Sequence, residues 1–265
     1  TQNAALAAGK GPSPVSAATE EFDGTNWALG GSLSIARYAN LTTGTQNDAV
    51  TAGGGLPSPF TTSTEEYNGS SWSTGGSLSI SGGVKDEGGT QMLGEGAYSA
   101  TYMGGRTPTK LDNTLEYDGS AWSERPRLPV ALSSTTRTGT SNAGLVAGGR
   151  SNAANQVSSV FEYNNTTNTC VGAWNVGQPA TITGKRDMQQ GSIGTQNSTA
   201  LFSGYLHSPT NGVTTSTEEY NGSSWSAGGN VITGRYVGAN TGTQNAALFV
   251  AGNVVSSTLS NLTEE

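Results

Sequence analysis

Residues 61–73 read TTSTEEYNGSSWS, and residues 214–226 repeat the same thirteen letters. An identical segment of this length indicates that one structural unit has been copied within the chain. The acidic residue and the aromatic ring of the segment recur at intervals of 45, 50, 46 and 57 residues. The recurring aromatic positions are Phe22, Tyr67, Tyr117, Tyr163 and Tyr220. The chain is therefore analysed as a repeat protein before anything else.

All five tryptophans occupy one position of the repeat. In four units the Trp follows the aromatic residue by five positions, and in the fourth unit an insertion, NNTTNTCVGA, widens the gap to eleven. These residues are Trp27, Trp72, Trp122, Trp174 and Trp225. Low-complexity sequence would not keep one residue type in register in this way, and we expect Tyr and Trp to pack inside each unit.

A second recurring segment precedes each acidic-aromatic pair. It is rich in small residues and ends in glycine, as in TQNAALAAGK at 1–10 and TQNDAVTAGGG at 45–55; the others are 95–105, 140–150, 195–205 and 243–253. A basic residue precedes four of the six segments, and Leu132 stands in its place in the fourth unit; these basic residues are Arg37, Lys85, Arg186 and Arg235.

Each segment has the pattern of a short β-strand. Runs of four to seven residues with Thr, Val, Tyr and Trp end at Gly, Asn-Gly or Asp-Gly, and Asn-Gly predicts a hairpin turn in which both residues take positive φ. No stretch shows sustained helical periodicity. Each unit then holds four strands, with the basic residue on the first, and repeated four-stranded units of this length predict a β-propeller.

The strand count predicts six blades, with five or seven as alternatives. Six TQN-type and six acidic strands are present, but only five of each other type, so the chain begins at strand two and ends at strand three. We expect one propeller domain over 1–265, in a chain that lacks an initiator Met and is a piece of something longer. Its units are about 1–36, 37–81, 82–130, 131–182, 183–232 and 233–265.

These segments resemble kelch repeats, in which a strand closes on Gly-Gly, an acidic residue and Tyr follow, and a Trp stands on the fourth strand. Gly-Gly occurs at 53–54, 104–105 and 148–149. Units one, five and six are expected to replace the second glycine with Lys10, Tyr205 and Asn253. The amino-acid sequence of the repeat also resembles repeat arrays in virion and tail proteins of bacterial viruses, which would imply an exterior structural role.

Enzyme chemistry finds little support in the sequence. The chain has one His, His207, and one Cys, Cys170, so clusters of imidazole or thiolate ligands for copper or zinc are excluded, and we expect no metal, cofactor or catalytic residue. Neighbouring glutamates such as Glu65 and Glu66 point to opposite faces of a strand and do not flank one glycosidic bond. One is expected to meet the repeated Arg and the other to face solvent; ligand binding by the arginines is the alternative.

The composition and net charge of the chain limit the classes of partner that it is expected to bind. Charged residues make up 12% of the chain, and the net charge is −7 with a pI near 4.7. An acidic chain without a basic stripe predicts neither nucleic-acid binding nor membrane insertion. We expect surface glycan or other subunits of an assembly as partners, and a virion or extracellular location. The alternative is a cytoplasmic kelch-type adaptor that docks a partner peptide.

One face of the predicted ring is expected to carry binding. Strands one and two, and strands three and four, are joined by uniform tight turns, whereas the other connections vary in length and sequence. Because strands alternate in direction, both variable sets emerge on the same face, which is where loops carry function. The residues just after the glycines are the predicted binding residues: Lys10, Arg106, Arg150, Tyr205 and His207.

Overall fold

The computed structural model describes residues 4–11, 14–56, 59–80, 83–84, 92–153, 157–166, 171–177, 179, 186–187, 192–206, 212–236, 238–254 and 258–264. Throughout these ranges the regular structure is β, and no helix occurs. Antiparallel strands form six blades of a β-propeller, which confirms the predicted fold class. His207, Cys170 and Lys85 lie outside the described residues.

The strands of the blades follow one another in chain order. Blade one has β1 (Ala5–Lys10), β2 (Ser16–Phe22) and β3 (Trp27–Leu29); blade two has β4 (Leu41–Thr45), β5 (Asp48–Ala52), β6 (Thr64–Tyr67) and β7 (Trp72–Gly75); blade three has β8 (Leu93–Gly96), β9 (Ser99–Met103), β10 (Thr114–Tyr117) and β11 (Trp122–Arg125). Blade four has β13 (Thr136–Gly139), β14 (Ala143–Ala147), β16 (Val160–Thr166) and β17 (Val171–Val176); blade five has β19 (Ser192–Thr195), β20 (Ser198–Phe202), β23 (Thr217–Tyr220) and β24 (Trp225–Ala227); blade six has β25 (Ala239–Thr243), β26 (Ala246–Val250) and β27 (Thr263–Glu264).

Five shorter strands lie outside the blade sheets. They are β12 (Leu132–Ser133), β15 (Arg150–Ser151), β18 (Arg186–Asp187), β21 (Tyr205–Leu206) and β22 (Gly212–Val213). They form two small sheets, β12 with β15 and β18 with β21 and β22. Both sheets belong to the variable connections between blade strands.

Blades one and six have three strands in the described residues, and the other four blades have four. Ala8 pairs with Thr19 in blade one as Ala52 pairs with Thr64 in blade two, so β1 corresponds to a second strand. By the same comparison β27 corresponds to a third strand, because Val250 pairs with Thr263. The strand order predicted from the repeat is therefore confirmed.

The hydrophobic core lies between blades. Leu41 and Val50 of blade two pack in one cluster with Ala100 and Tyr102 of blade three. Further clusters join blades three and four, four and five, and five and six. Strand two of a blade has a neighbouring blade on each side, which explains why β5, β9, β14 and β20 are buried over four consecutive residues instead of alternating.

The Asn-Gly and Asp-Gly turns differ from the prediction. Only the glycine takes a positive φ, such as 90° at Gly69, and the turn spans four residues between paired Tyr67 and Trp72. The side chain of Asn68 accepts hydrogen bonds from the backbone N–H groups of Ser70 and Ser71, at 3.0 and 2.9 Å. This Asx turn replaces the two-residue turn that needs positive φ twice.

The glycine pairs also require a correction. Pairing aligns Phe202 and Val250 with Ala52, so Ser203 and Ala251 replace the first glycine of the pair, and Gly204 and Gly252 are the retained second glycines. Tyr205 and Asn253 are therefore one position further along. Ser203 and Ala251 adopt positive φ, 52° and 55°. Ser203 is held there because its Oγ donates to a carbonyl and accepts the N–H of Arg235 at 2.7 Å. In unit one, Lys10 does occupy the place of the second glycine.

Candidate functional site: the loop face of the propeller

The repeated Arg was predicted to lie on strand one of each blade. In the structure it lies before that strand. Arg37 is fully buried, and its guanidinium binds the carboxylate of Glu65 and the carbonyl oxygens of Gly53 and Ser63, at 3.0 and 2.9 Å. Burial lowers the pKa of Arg37, and the attraction of Glu65 opposes that shift. A buried ion pair is retained at low cost only when its remaining donors and acceptors are bonded, as they are here.

Blade six repeats this arrangement. Arg235 lies 2.8 Å from Glu264 and donates to the carbonyl of Leu262 at 2.7 Å. Burial lowers the pKa of Arg235 too, against the attraction of Glu264. The expected pairing of repeated Arg with repeated Glu is present in both blades. These two arginines fasten strands two and three inside a blade.

Blade four replaces the ion pair with an apolar contact. Leu132 stands where Arg37 stands in blade two, and Phe161 stands where Glu65 stands. Both side chains are buried in one hydrophobic cluster. The two positions have changed together, because either charge left alone there would be buried without its counter-ion.

The second glutamate of each pair faces the next blade, and the prediction that it faces solvent is wrong. The phenol of Tyr67 donates to Glu21 of the preceding blade, that of Tyr117 to Glu66, and that of Tyr220 to Glu162 at 2.8 Å. We call each pair a latch. Burial, reinforced by the bond to the carboxylate, raises the pKa of Tyr117 to about 12 and that of Tyr220 to about 12.

A glycine at the end of the fourth strand, or just after it, makes room for two of the latches. A Cβ on Gly75 would come closer than 3.0 Å to the hydroxyl of Tyr117, and a Cβ on Gly30 would do the same to Tyr67. The equivalent residue of blade three is Arg125, which pairs with Thr114 as Gly75 pairs with Thr64. Arg125 binds Glu116, the carboxylate that Tyr163 would otherwise take.

Tyr163 is consequently the exception among the ring tyrosines. Its hydroxyl is buried and makes no hydrogen bond in the described residues. Burial, with the nearby Glu116 charge, still raises its pKa to about 12, which Arg125 partly opposes. The boundary between blades three and four therefore has no latch, and it is joined by packing, by the indole N–H of Trp174 to the carbonyl of Pro126 at 2.9 Å and by the amide of Asn165 to Glu116 at 3.4 Å.

The latch predicts that two identical substitutions have different effects. Tyr117→Phe removes a bond to a carboxylate and another from the N–H of Gly76, 3.1 Å away, and should lower the free energy of unfolding by about 1.5–3 kcal/mol. Tyr163→Phe removes a buried hydroxyl that makes no hydrogen bond, and should leave the free energy of unfolding unchanged or raise it by up to about 1 kcal/mol. Urea unfolding of both variants measures the difference.

The Arg125→Gly background supplies the control. With the arginine gone, Glu116 is available to Tyr163, and Tyr163→Phe should then become as costly as Tyr117→Phe. Equal losses from both tyrosines in the parent protein would contradict the role assigned to Arg125.

Trp and Gln side chains complete the contacts between blades. Each Trp packs on the aromatic residue of its own blade, with ring centroids 4.9–5.2 Å apart. The indole N–H of Trp72 reaches Thr19 of the preceding blade at 2.9 Å, and that of Trp122 reaches Thr64 at the same distance. Gln196 and Gln244, each in a TQN segment, donate to two backbone carbonyls of the preceding blade. The recurring TQN, EEY and Trp residues therefore hold neighbouring blades of the ring together.

The variable connections form one side of the ring, which we call the loop face. It comprises the loops from strand two to three and the connections from strand four to the next strand one; the opposite side, with the tight turns, is the turn face. The predicted residues Arg106 and Arg150 are brought together here. The backbone of Arg106 forms a β-bridge with that of Lys110, and Leu111 forms one with Leu132. The strand that contains Leu132, β12, pairs in turn with β15, which contains Arg150. Four segments from blades three and four therefore lie side by side.

Tyr205 lies apart from these arginines, in blade five. Its ring meets that of Tyr236 edge to face, with centroids 5.3 Å apart. Tyr236 follows the buried Arg235 and pairs with Asn253 of blade six, so this aromatic pair lies at the boundary between blades five and six. Lys10 ends β1 on the loop face of blade one. The contact between the rings of Tyr236 and Tyr205 was not predicted. The recurrence of Arg-Tyr at 37–38 and 235–236 was the sequence signal that pointed to a role for Tyr236.

The two faces differ in charge. The turns of the turn face and the strand ends beside them contain the carboxylates Asp23, Asp48, Glu95 and Asp118, and the sequence of these turns has no Lys or Arg. Backbone hydrogen bonds, from Asn26 and from Ala121 respectively, lower the pKa of Asp23 and of Asp118, so both stay ionised. In the part of the loop face that the structure describes, blades three and four carry Arg106, Lys110, Arg127 and Arg150, with Asp112 as counter-charge to Arg127.

Metal binding and membrane crossing find no support in the described residues. No group of three or more His, Cys, Asp or Glu side chains is placed to hold a metal ion within those ranges. Nor does any described segment form a helix long and apolar enough to span a bilayer.

The fold, but no sequence family, connects the chain to known proteins. No protein-family model matches it, and no curated protein matches it. Among solved structures 175 chains match. One, titled "Structure of YjhT", superposes with a TM-score of 0.73 over 94% of this chain and 88% of that chain, at 12% sequence identity. At that identity the likeness shows the six-bladed propeller fold alone.

Proposed function

We propose that this protein is a non-enzymatic structural and binding module on the exterior of a larger assembly, such as a virion or tail of a bacterial virus. Its partner is host-surface glycan or a neighbouring subunit, and its location is extracellular or on the particle. A β-propeller suits a binding or structural role. The observation that carries the proposal is that the recurring residues hold the blades together, whereas the loop face presents different residues from each blade.

The ring contacts support a passive scaffold. Repeated residues such as Tyr67, Trp72 and Glu65 are occupied in holding blades and strands together. The loop face, by contrast, presents different side chains from each blade, including Arg106, Arg150 and Tyr205. Variable loops on a rigid scaffold are a common arrangement for a binding surface.

A glycan array with the intact protein tests the proposal. We expect retention on a bacterial surface glycan, with a loss of at least tenfold on Arg106→Ala and on Tyr205→Ala. Thr25→Ala changes an exposed turn-face residue and serves as the matched control.

The competing function is a cytoplasmic kelch-type adaptor. Absence of any glycan signal, together with a soluble partner that is lost on Arg106→Ala and Arg150→Ala, would replace the exterior role with that function. Turnover of an ester, glycoside or sialoside substrate that one polar substitution abolishes would contradict the non-enzymatic assignment.

A further inference from the structure

Positive charge on this acidic protein is concentrated on one sector of the loop face. The chain carries a net charge of −7, yet Arg106, Lys110, Arg127 and Arg150 all belong to the connections of blades three and four. In the described residues of 104–113, 126–131 and 148–159, Asp112 is the one carboxylate, and it binds Arg127 at 2.8 Å. By formal charge this sector is therefore positive on a molecule that is otherwise negative.

Backbone pairing fixes the spacing of these charges. The Lys110–Leu111 segment pairs with Arg106 and with Leu132, and the Leu132–Ser133 segment pairs with Arg150–Ser151. Since paired strands lie about 4.8 Å apart and the Arg106 and Arg150 segments both adjoin the Leu132–Ser133 segment, these two segments are roughly 10 Å apart or less. The hydrogen bond from the N–H of Gly105 to the carbonyl of Leu132, at 2.8 Å, ties the two blades together at this point. The charges are thus held on one small, hydrogen-bonded platform.

The polar side chains beside these basic residues are of the kinds that form hydrogen bonds to sugars. The exposed side chain of Asn152 accepts the N–H of Lys110 at 3.4 Å, and exposed Thr109 lies in the same loop. Amide and hydroxyl groups are the side chains that bond sugar hydroxyls, and arginine binds carboxylates through two parallel N–H groups. At the boundary of blades five and six, the Tyr205–Tyr236 pair adds aromatic surface on the same face.

We infer that the sector formed by Arg106, Lys110, Arg127 and Arg150 binds an acidic polysaccharide through its carboxylates. The inference rests on the proposed glycan-binding function and names the ligand class. A duplex nucleic acid fits poorly, because it would extend past the platform over a surface that carries net negative charge. A glycan chain with spaced carboxylates meets the positive sector and leaves the rest of the ring uncovered.

Carboxymethyl-dextran and unmodified dextran test the inference, because they differ only in carboxylate groups. With the full chain immobilised, we expect the charged polymer to bind at least tenfold more tightly at low salt and to weaken steeply between 50 and 300 mM NaCl. Arg106→Gln, Lys110→Gln and Arg150→Gln should each reduce its affinity three- to tenfold. Ala121→Glu makes the same change of net charge on the exposed turn face and should leave affinity within twofold.

The outcomes separate this inference from the function on which it rests. Equal binding of both dextrans, or no effect of the three Gln variants beside unchanged melting temperatures, would overturn the acidic ligand while glycan binding survives. Polyglutamate bound as tightly as carboxymethyl-dextran at matched charge would overturn the polysaccharide in favour of an acidic protein. No binding by either dextran and by any glycan of the array would overturn both proposals.

Discussion

Gly44→Ala should destabilise the protein by about 3 kcal/mol or more, a large loss for the addition of one methyl group. Gly44 has a φ of 121°, a region that residues with a Cβ rarely adopt. A Cβ there would lie closer than 3.0 Å to the backbone carbonyl of Asp48, which is fixed by pairing between β4 and β5. Relief would require the first turn of the blade to open. Thermal and urea unfolding measure the loss.

Gly229→Ala is the matched control for this substitution. No atom lies within 4 Å of a Cβ built there, so the methyl group enters open space. We expect a change between zero and a gain of about 1 kcal/mol, because alanine restricts the unfolded chain. A similar loss at both glycines would show that glycine content, and not the geometry of the first turn, sets stability.

Arg37→Leu is expected to cost about 3–5 kcal/mol. The substitution leaves the carboxylate of Glu65 buried, 1% exposed, without its counter-ion and still bonded to the N–H of Ser34 at 2.7 Å. A buried charge that loses its counter-ion is far more costly than the pair was beneficial. Equilibrium unfolding in urea gives the free energy directly.

The fourth blade supplies the compensating variant. Arg37→Leu combined with Glu65→Phe copies the Leu132–Phe161 contact, and the double variant should be more stable than Arg37→Leu alone by at least about 1 kcal/mol. It should not recover fully, since Gly53 and Ser63 lose a donor to their carbonyls. Losses that simply add would mean that the two positions are not energetically coupled.

The fold followed from the sequence because its signals are local. The strand segments, the bounding glycines and the spacing from Tyr67 to Trp72 each lie within about a dozen residues, and their recurrence predicted the strand order and favoured six blades over five or seven. The pairing of Arg37 with Glu65 was also within reach, because opposite charges recurred at fixed places in the unit.

Contacts between blades were harder to predict. The latch joins residues 46 to 58 positions apart and depends on a glycine in a third segment, so neither Glu66 nor Tyr117 shows it alone. A signal existed in Arg125, which breaks the glycine column of the alignment. The glycine pairs were misaligned in units five and six for a related reason: Ser203 and Ala251 adopt a backbone conformation that sequence patterns assign to glycine.

The candidate site was predicted only in part. The position after the glycines led to Arg106, Arg150 and Tyr205, but not to Lys110, which joins the platform through backbone pairing inside a variable loop. Such pairing has no recurring sequence pattern, because each blade builds its loop from different residues.

The identical hairpins in blades two and five have a consequence for folding. The identical segments 61–73 and 214–226 cover β6 and β23, their turns and the first two residues of β7 and β24, so this part of the hairpin does not distinguish docking on β5 from docking on β20. The correct partner of Ala52, Thr64, follows it by twelve residues, whereas the equivalent residue of the other copy, Thr217, follows by 165. Closing the longer loop costs about 2 kcal/mol more in chain entropy. Proximity along the chain, more than the chemistry of the hairpin, therefore selects the native pairing, and a circular permutation that separates β5 from β6 would make the exchanged propeller a competing kinetic trap.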